Sequence, residues 1–529
     1  MKMTEQNSKT PSKFQRGSYL FSRVQASGKG LFPLCLSLVH WLLTFFTDSF
    51  IFRVPVSSNP FDYIICKLIV LFILFFFYKT LFHLLSPNRK HHTIYSICKA
   101  SLPYLIPMAA VLIFKLPQGF LSNDETIIYD AAIHLEHYTW FTYLTVYYYI
   151  VSLMLLPFWA APIILKVLFQ IFVCGYCVNR LNNYISKKYG IFIYFIFLLF
   201  PVLAYTTSAH RLPLYFLLYL FVSFCLLMDH VEGVSLTVGK VFFLLLASAL
   251  LTQWRTEGIY LFLFMPILLL LVYPELRTKK KVGFFFFIYF SFQYIISIPQ
   301  NGILPLGLDA QANNRMGPFY AYTITNMYRN GLDLEKNKKD LENVDPFLSI
   351  EAIEKINEYY EDINYEDVLI LYEPNFIGTR EGSTPEDYTT YTSACKNIFL
   401  NNIDVFIKTR WGAFLYSALP YHIVLPDKEI SSYLSSLLSF IKTLSYCLFL
   451  PCFVLLSLWI YSIVKKRIYT FFFTSGLLCH WFLVFVLAPA SYFKYYFPIY
   501  IMGYTYLFLL FLQWIYNYFH QETPISFLL

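Results

Sequence analysis

The chain of 529 residues is 57% hydrophobic and 14% charged, with a mean hydropathy of +0.53. A water-soluble domain of that length has no interior large enough to hide so much apolar surface, which leaves an integral membrane protein. The net charge of +8 gains meaning only once its bases are placed by side of the membrane.

Residues 1–30 carry six Lys and Arg against one acid, Glu5, and by the positive-inside rule form a cytosolic tail. A bilayer core of about 30 Å needs roughly 20 apolar residues per helix, and the first two such spans are Leu31–Phe52 and Tyr63–Leu85. A basic loop with Arg89, Lys90 and Lys99 precedes span 3, Ser101–Leu116. The outer loop 117–157 follows; acids at its start and aromatics at its end predict two interfacial helices, Asn123–His137 and Tyr143–Leu156. Spans 4 to 6 are Ala160–Leu181, Ile191–Tyr205 and Leu214–Met228. Val241–Tyr273 is broken at Trp254–Gly258 into spans 7 and 8, and span 9 is Gly283–Ile298.

The one large hydrophilic region, 299–429, holds 20 acids and 11 bases. It is therefore −9 and leaves +17 for the remainder, which puts it outside as a small α+β cap. Ile350, Ile353 and Ile356 predict a helix, the VLILY run within Asp362–Tyr372 a strand, and Gly378–Tyr388 a turn. Residues 430–529 supply spans 10 to 12, Thr443–Val464, Thr470–Leu487 and Phe497–Tyr516. The C-terminus thus returns to the cytosol. The expectation is an α-helical polytopic protein of the cell membrane: about 12 transmembrane helices, two outer juxtamembrane helices and the cap. Residues 31–298 form its core.

Ten cysteines are scattered mainly through spans, and the Cys174–Cys177 CxxC lacks further ligands, so it reads as packing. No GxGxxG, Walker, HExxH or GxSxG pattern is present, which leaves no cytosolic nucleotide site. Chemistry is expected at the outer membrane edge. Ser122–Glu125 fits a helix capping box, and its acids also suit a base or ligand held at the interface. Asp130, His134 and His137 share a helix face and make a candidate divalent-metal set, alongside the reading as a wet amphipathic face. Arg255 has Glu257 as its plain partner and a lipid-borne phosphate as the alternative. His210, Arg211 and Lys494 are further outer cations. Charges otherwise stay at the span edges, and no inverted repeat recommends a transporter.

The segment SNDETIIYDAAIHL, the aromatic TYLTVYYYIVSLMLLP, LLTQWRTEGIYLFLFMPILLLL and KYYFP (494–498) together resemble the GT-C superfamily of membrane glycosyltransferases. Bacterial aminoarabinose transferases and protein O-mannosyltransferases belong to that superfamily. The resemblance covers Pro117–Pro274 in order and the last spans loosely. It implies transfer of a sugar from a polyprenyl-phosphate donor to an extracytoplasmic glycan, lipid or protein. In that scheme Asp124 is the base, and Glu125 positions the acceptor or a metal. Arg255, Lys494, Arg211, His210 and Tyr129 bind substrate. The chain departs from the pattern in its extra hairpin, Leu31–Leu85, and in having Phe141-Thr142-Tyr143 where a Lys-Pro-Pro-like element is usual. The cofactor stays open, with a divalent metal ion as the candidate; membrane lipids are partners and nucleic acid is not. A polysaccharide polymerase or ligase and a lipid-linked glycan flippase are the rival readings, the first using an outer Arg or His in place of the Asp.

Overall fold

A computed structural model of the chain describes residues 31–55, 58–85, 93–119, 123–136, 142–185, 189–207, 212–301, 316–359, 380, 382–419, 440–521 and 524–528. Among them every regular element is a helix. Nine helices are long and apolar enough to cross a membrane, and a tenth span results if a bent pair is counted as one. The chain is a helical polytopic membrane protein.

The first hairpin joins α1 (Leu31–Ile51) to α2 (Pro60–Leu85). Asn59 caps α2 by accepting from the Asp62 amide at 3.3 Å, and Pro60 starts the helix where its missing N–H costs nothing. Little of α1 or α2 packs inward. Phe46 and Phe50 are 74% and 89% exposed, an arrangement stable only against lipid tails. Next come α3 (Thr93–Lys115), α4 (Asn123–Ile133), α5 (Tyr143–Leu155) and α6 (Ala161–Tyr184). α3 begins two turns before the expected span, which takes Lys99 of the basic loop into the helix.

The expected span Ile191–Tyr205 is not one straight helix. It is α7 (Ile193–Leu198) and α8 (Phe200–Thr207), and the pair bends by 62°. Leu199 leaves the helical conformation, and Pro201 has no N–H to continue the ladder of α7 while its ring would clash with the carbonyl four residues back. α9 (Leu212–Glu232), α10 (Val238–Trp254), α11 (Leu261–Val272) and α12 (Lys279–Asn301) complete the first half. α6 and α9 lie at the centre of the bundle, mostly covered by protein, while α1, α3 and α12 form its lipid face. Lipid is as apolar as a protein interior, so helix association depends on close packing and on buried polar partners.

One such partner set ties the ends of four helices. Asp229 of α9, fully buried, binds Arg180 of α6 at 3.2 Å, Lys240 of α10 and the hydroxyl of Tyr273 after α11. The turn from Asp229 to Lys240 is thus closed by its own ion pair, and its second acid, Glu232, binds Arg180 at 3.0 Å.

The cap contains α13 (Gly317–Arg329), α14 (Lys338–Val344), α15 (Ile350–Tyr359), α16 (Pro385–Asn401) and α17 (Ile403–Ala418). Its own core gathers Tyr322, Ile324, Met327, Ile353, Ile356, Tyr391, Cys395 and Ile398. A capping box starts α16: the Asp387 amide donates to the Thr384 hydroxyl at 3.2 Å, and the Thr384 amide donates back to Asp387 at 2.8 Å. Those Thr384 donors hold the Asp387 carboxyl below its ordinary range. The described part of the cap is wholly helical; the expected VLILY strand lies outside the described residues. α17 spans two cores, with Ala413 in that of the cap and Phe414 and Ala418 in that of the bundle. α18 (Phe449–Val464), α19 (Ile468–Leu487) and α20 (Phe497–Phe519) close the bundle. Gly503 of α20 lies so close to Pro451 of α18 that a side chain there would collide with the proline ring.

Candidate functional site at the start of α4

Asp124 and Glu125 occupy the first turn of α4, where the positive end of the helix dipole favours both carboxylates. Ser122 of the expected capping box lies outside the described residues. One helical step separates the two acids by about 100°, and their surroundings differ accordingly. Asp124 is 38% exposed and faces Lys494 Nζ at 3.9 Å. Glu125 is 1% exposed and points inward, with the equally buried Lys166 of α6 as an electrostatic partner. The structure thus places Glu125 away from the surface that Asp124 faces.

Three distant parts of the chain are linked through the turn that carries Lys494 and Tyr495. The turn Phe493–Tyr496 before α20 presents Lys494, whose ammonium lies 4.5 Å from the centre of the Tyr492 ring and 6.0 Å from that of Tyr495. The break between α10 and α11 presents Arg255, 5.5 Å from the same Tyr495 ring. Tyr495 therefore stands between the two cations. The break itself depends on Gly258: a Cβ there would run into the Leu251 carbonyl. α5 is fixed to the break by a hydrogen bond of 3.0 Å from the Thr142 hydroxyl to the Trp254 carbonyl.

Arg255 binds Glu257 through two hydrogen bonds, Nε to Oε2 at 3.1 Å and Nη2 to Oε1 at 2.6 Å. Its fork is thus taken by the plain partner, and the pair is largely buried. His480, in the apolar run of α19, donates from Nε2 to the Tyr495 carbonyl at 3.0 Å. It completes the wall behind Tyr495 and was not singled out by sequence; a lone imidazole inside an apolar helix is the signal that could have found it. The same signal marks Lys166 in the second turn of α6, which shows that charges do not all stay at the span edges.

The other sequence candidates lie elsewhere. Tyr129 is half-buried against the core shared by α4 and α5. Asp130 and His134 form a pair, with His134 Nδ1 3.5 Å from the carboxylate and 2.9 Å from the Asp130 carbonyl. His137, His210 and Arg211 lie outside the described residues. No cluster of three or more His, Cys, Asp or Glu exists among the described residues, so the metal set is not assembled from them. Cys174 and Cys177 are buried as packing residues.

The Asp124–Lys494 distance is longer than a direct charged hydrogen bond, typically about 2.7–2.9 Å. The pair leaves both groups in reach of a third group or a water. A carboxylate able to take a proton thus stands beside an ammonium able to meet new negative charge. No family model, no curated protein and no solved structure matches the chain.

Proposed function

We propose that the protein is a membrane glycosyltransferase that moves a sugar from a polyprenyl-phosphate donor to an extracytoplasmic acceptor in the cell envelope. The supporting observation is that Asp124 lies 3.9 Å from Lys494, while Lys494 and Arg255 lie 6.0 and 5.5 Å from the ring of Tyr495. In this reading the acceptor oxygen forms a bond to the anomeric carbon as the bond from that carbon to the donor phosphate breaks, with inversion. Asp124 takes the proton of the acceptor hydroxyl, and Lys494 offsets the charge that grows on the departing phosphate. Arg255, neutralised by Glu257, holds its turn against the Tyr495 ring. Glu125, tied to Lys166, anchors α4 so that Asp124 faces outward. The cap, of α+β type in this reading, takes the acceptor; about 12 spans and cytosolic termini complete the scheme.

A lipid-linked glycan flippase is the second reading, favoured by one specific observation. Lys67 of α2 is buried within the hairpin against Asp48 of α1 at 2.7 Å, and intramembrane charges of this kind often line transport paths. Mass spectrometry of envelope glycans from cells with and without the protein separates the two. Transfer predicts loss of one sugar from an otherwise complete glycan, and flipping predicts loss of the whole glycan from the outer face. An unchanged glycan profile refutes both.

A further inference from the structure

Where the cap meets the bundle, a further cation lies buried with no carboxylate opposite it among the described residues. Arg410 of α17 is 2% exposed. Its Nε donates to the Phe485 carbonyl at 2.6 Å and its Nη2 to the Val484 carbonyl at 3.4 Å, both at the end of α19. Nη1 is buried and has no acceptor among the described residues. The rings of Phe319 and Tyr322, on α13 of the cap, lie 5.9 and 5.7 Å from the guanidinium carbon. Burial lowers its pKa from the ordinary arginine value, with only Tyr322 and Tyr496 to oppose the loss of hydration.

Two carbonyls at a helix C-terminus account for part of this environment, since cations are favoured there. They leave the Nη1 amino group of a full charge without an acceptor among the described residues, and such a group is costly unless something accepts from it. The neighbouring polar groups show what the acceptor resembles. The Tyr322 hydroxyl is hydrogen-bonded to Ser491, in the segment between α19 and α20. Phe414, one turn after Arg410, packs on Tyr496 with ring centres 5.3 Å apart. The seam therefore brings together a guanidinium, two hydroxyls and no acid, a set suited to an oxyanion.

We propose that Arg410 binds a phosphate group, lipid-borne or free, at the seam between cap and bundle, and that the ligand joins the two. This does not rest on the transfer reading, because such binding requires no reaction at Asp124.

Thermal unfolding of the full chain in nanodiscs, titrated with farnesyl phosphate, inorganic phosphate or farnesol, tests it. Farnesyl phosphate is expected to raise the midpoint saturably, as a ligand of the native state does. Farnesol is expected to leave it unchanged. A rise with inorganic phosphate as well identifies a free anion as sufficient; a rise with farnesyl phosphate only identifies a lipid-borne one. In a Lys494→Gln background, which removes the phosphate contact of the proposed transfer site, the response should persist, and adding Arg410→Gln should abolish it. Should Arg410→Gln fail to fold, Arg410→Lys retains the charge without the fork and should bind at least about tenfold more weakly. Absence of any rise in the wild type overturns the proposal. So does an equal rise once Arg410→Gln is added, an equal affinity in Arg410→Lys, or a rise already lost in Lys494→Gln alone.

Discussion

At the scale of single residues, adjacent acids divide between surface and interior. Glu125 and Lys166 share a buried environment in which removing one charge strands the other. Glu125→Gln or Lys166→Met alone should destabilise by about 3–5 kcal/mol, and the double variant should recover most of that loss. Reversible denaturant unfolding in mixed micelles, read as a double-mutant cycle, measures it; additive losses would show that the two do not interact. Arg255 and Glu257 make the same argument at the α10–α11 break. Glu257→Gln should cost a comparable about 3–5 kcal/mol, against about 0–1 kcal/mol for an exposed pair. Asp124 differs because it is partly wet and 3.9 Å from its partner. Asp124→Asn should change stability by no more than about 1 kcal/mol, in the range of surface substitutions.

At the scale of elements, the extra hairpin supports the site from behind. The Asp62 carboxylate accepts from the Tyr147 hydroxyl of α5 and from Asn59 Nδ2 at 2.5 Å, and Asn59 also donates to the Leu135 carbonyl at 3.0 Å. The Arg53 amide reaches the Ile133 carbonyl at 2.9 Å, so the hairpin holds the last residue of α4 and the turn just past it. Asp62→Ala should cost about 1–3 kcal/mol by stranding buried donors. It should also speed amide exchange across 123–136 while leaving α18–α20 unaffected; unchanged exchange in α4 would detach the hairpin from the site. Element bounds were readable from the sequence because twenty-residue apolar runs have few alternatives. The 62° bend at Leu199 was less so, since Pro201 inside an apolar run fits a straight membrane helix as well. Asp124, Arg255 and Lys494 were each visible as charges at the ends of apolar runs. Their common neighbour Tyr495 was not, because nothing local distinguishes one tyrosine among 45. Lys166, His480 and Arg410 were passed over for a related reason: their partners come from elements far away in sequence.

At the scale of the whole molecule, a lipid-facing shell of α1, α3 and α12 surrounds the central α6 and α9, and the cap is attached through α17. The charge asymmetry, −9 for residues 299–429 against +17 for the rest, predicts an orientation that labelling tests. In sealed vesicles, single cysteines replacing Ser8 in the basic tail and the exposed Glu342 of α14 should react with an impermeant maleimide from opposite sides. Labelling of both from the same side would invert or abolish the outer position of Asp124. The proposed reaction turns on what Asp124 does. Purified protein in nanodiscs, given a polyprenyl-phosphate sugar and an envelope acceptor, should release polyprenyl phosphate and form a glycosidic bond. Asp124→Asn should fold and bind donor as the wild type does, yet lose turnover by about 100-fold or more, as expected for removing a general base. Turnover within a few-fold of wild type in that variant would contradict the assignment of the site.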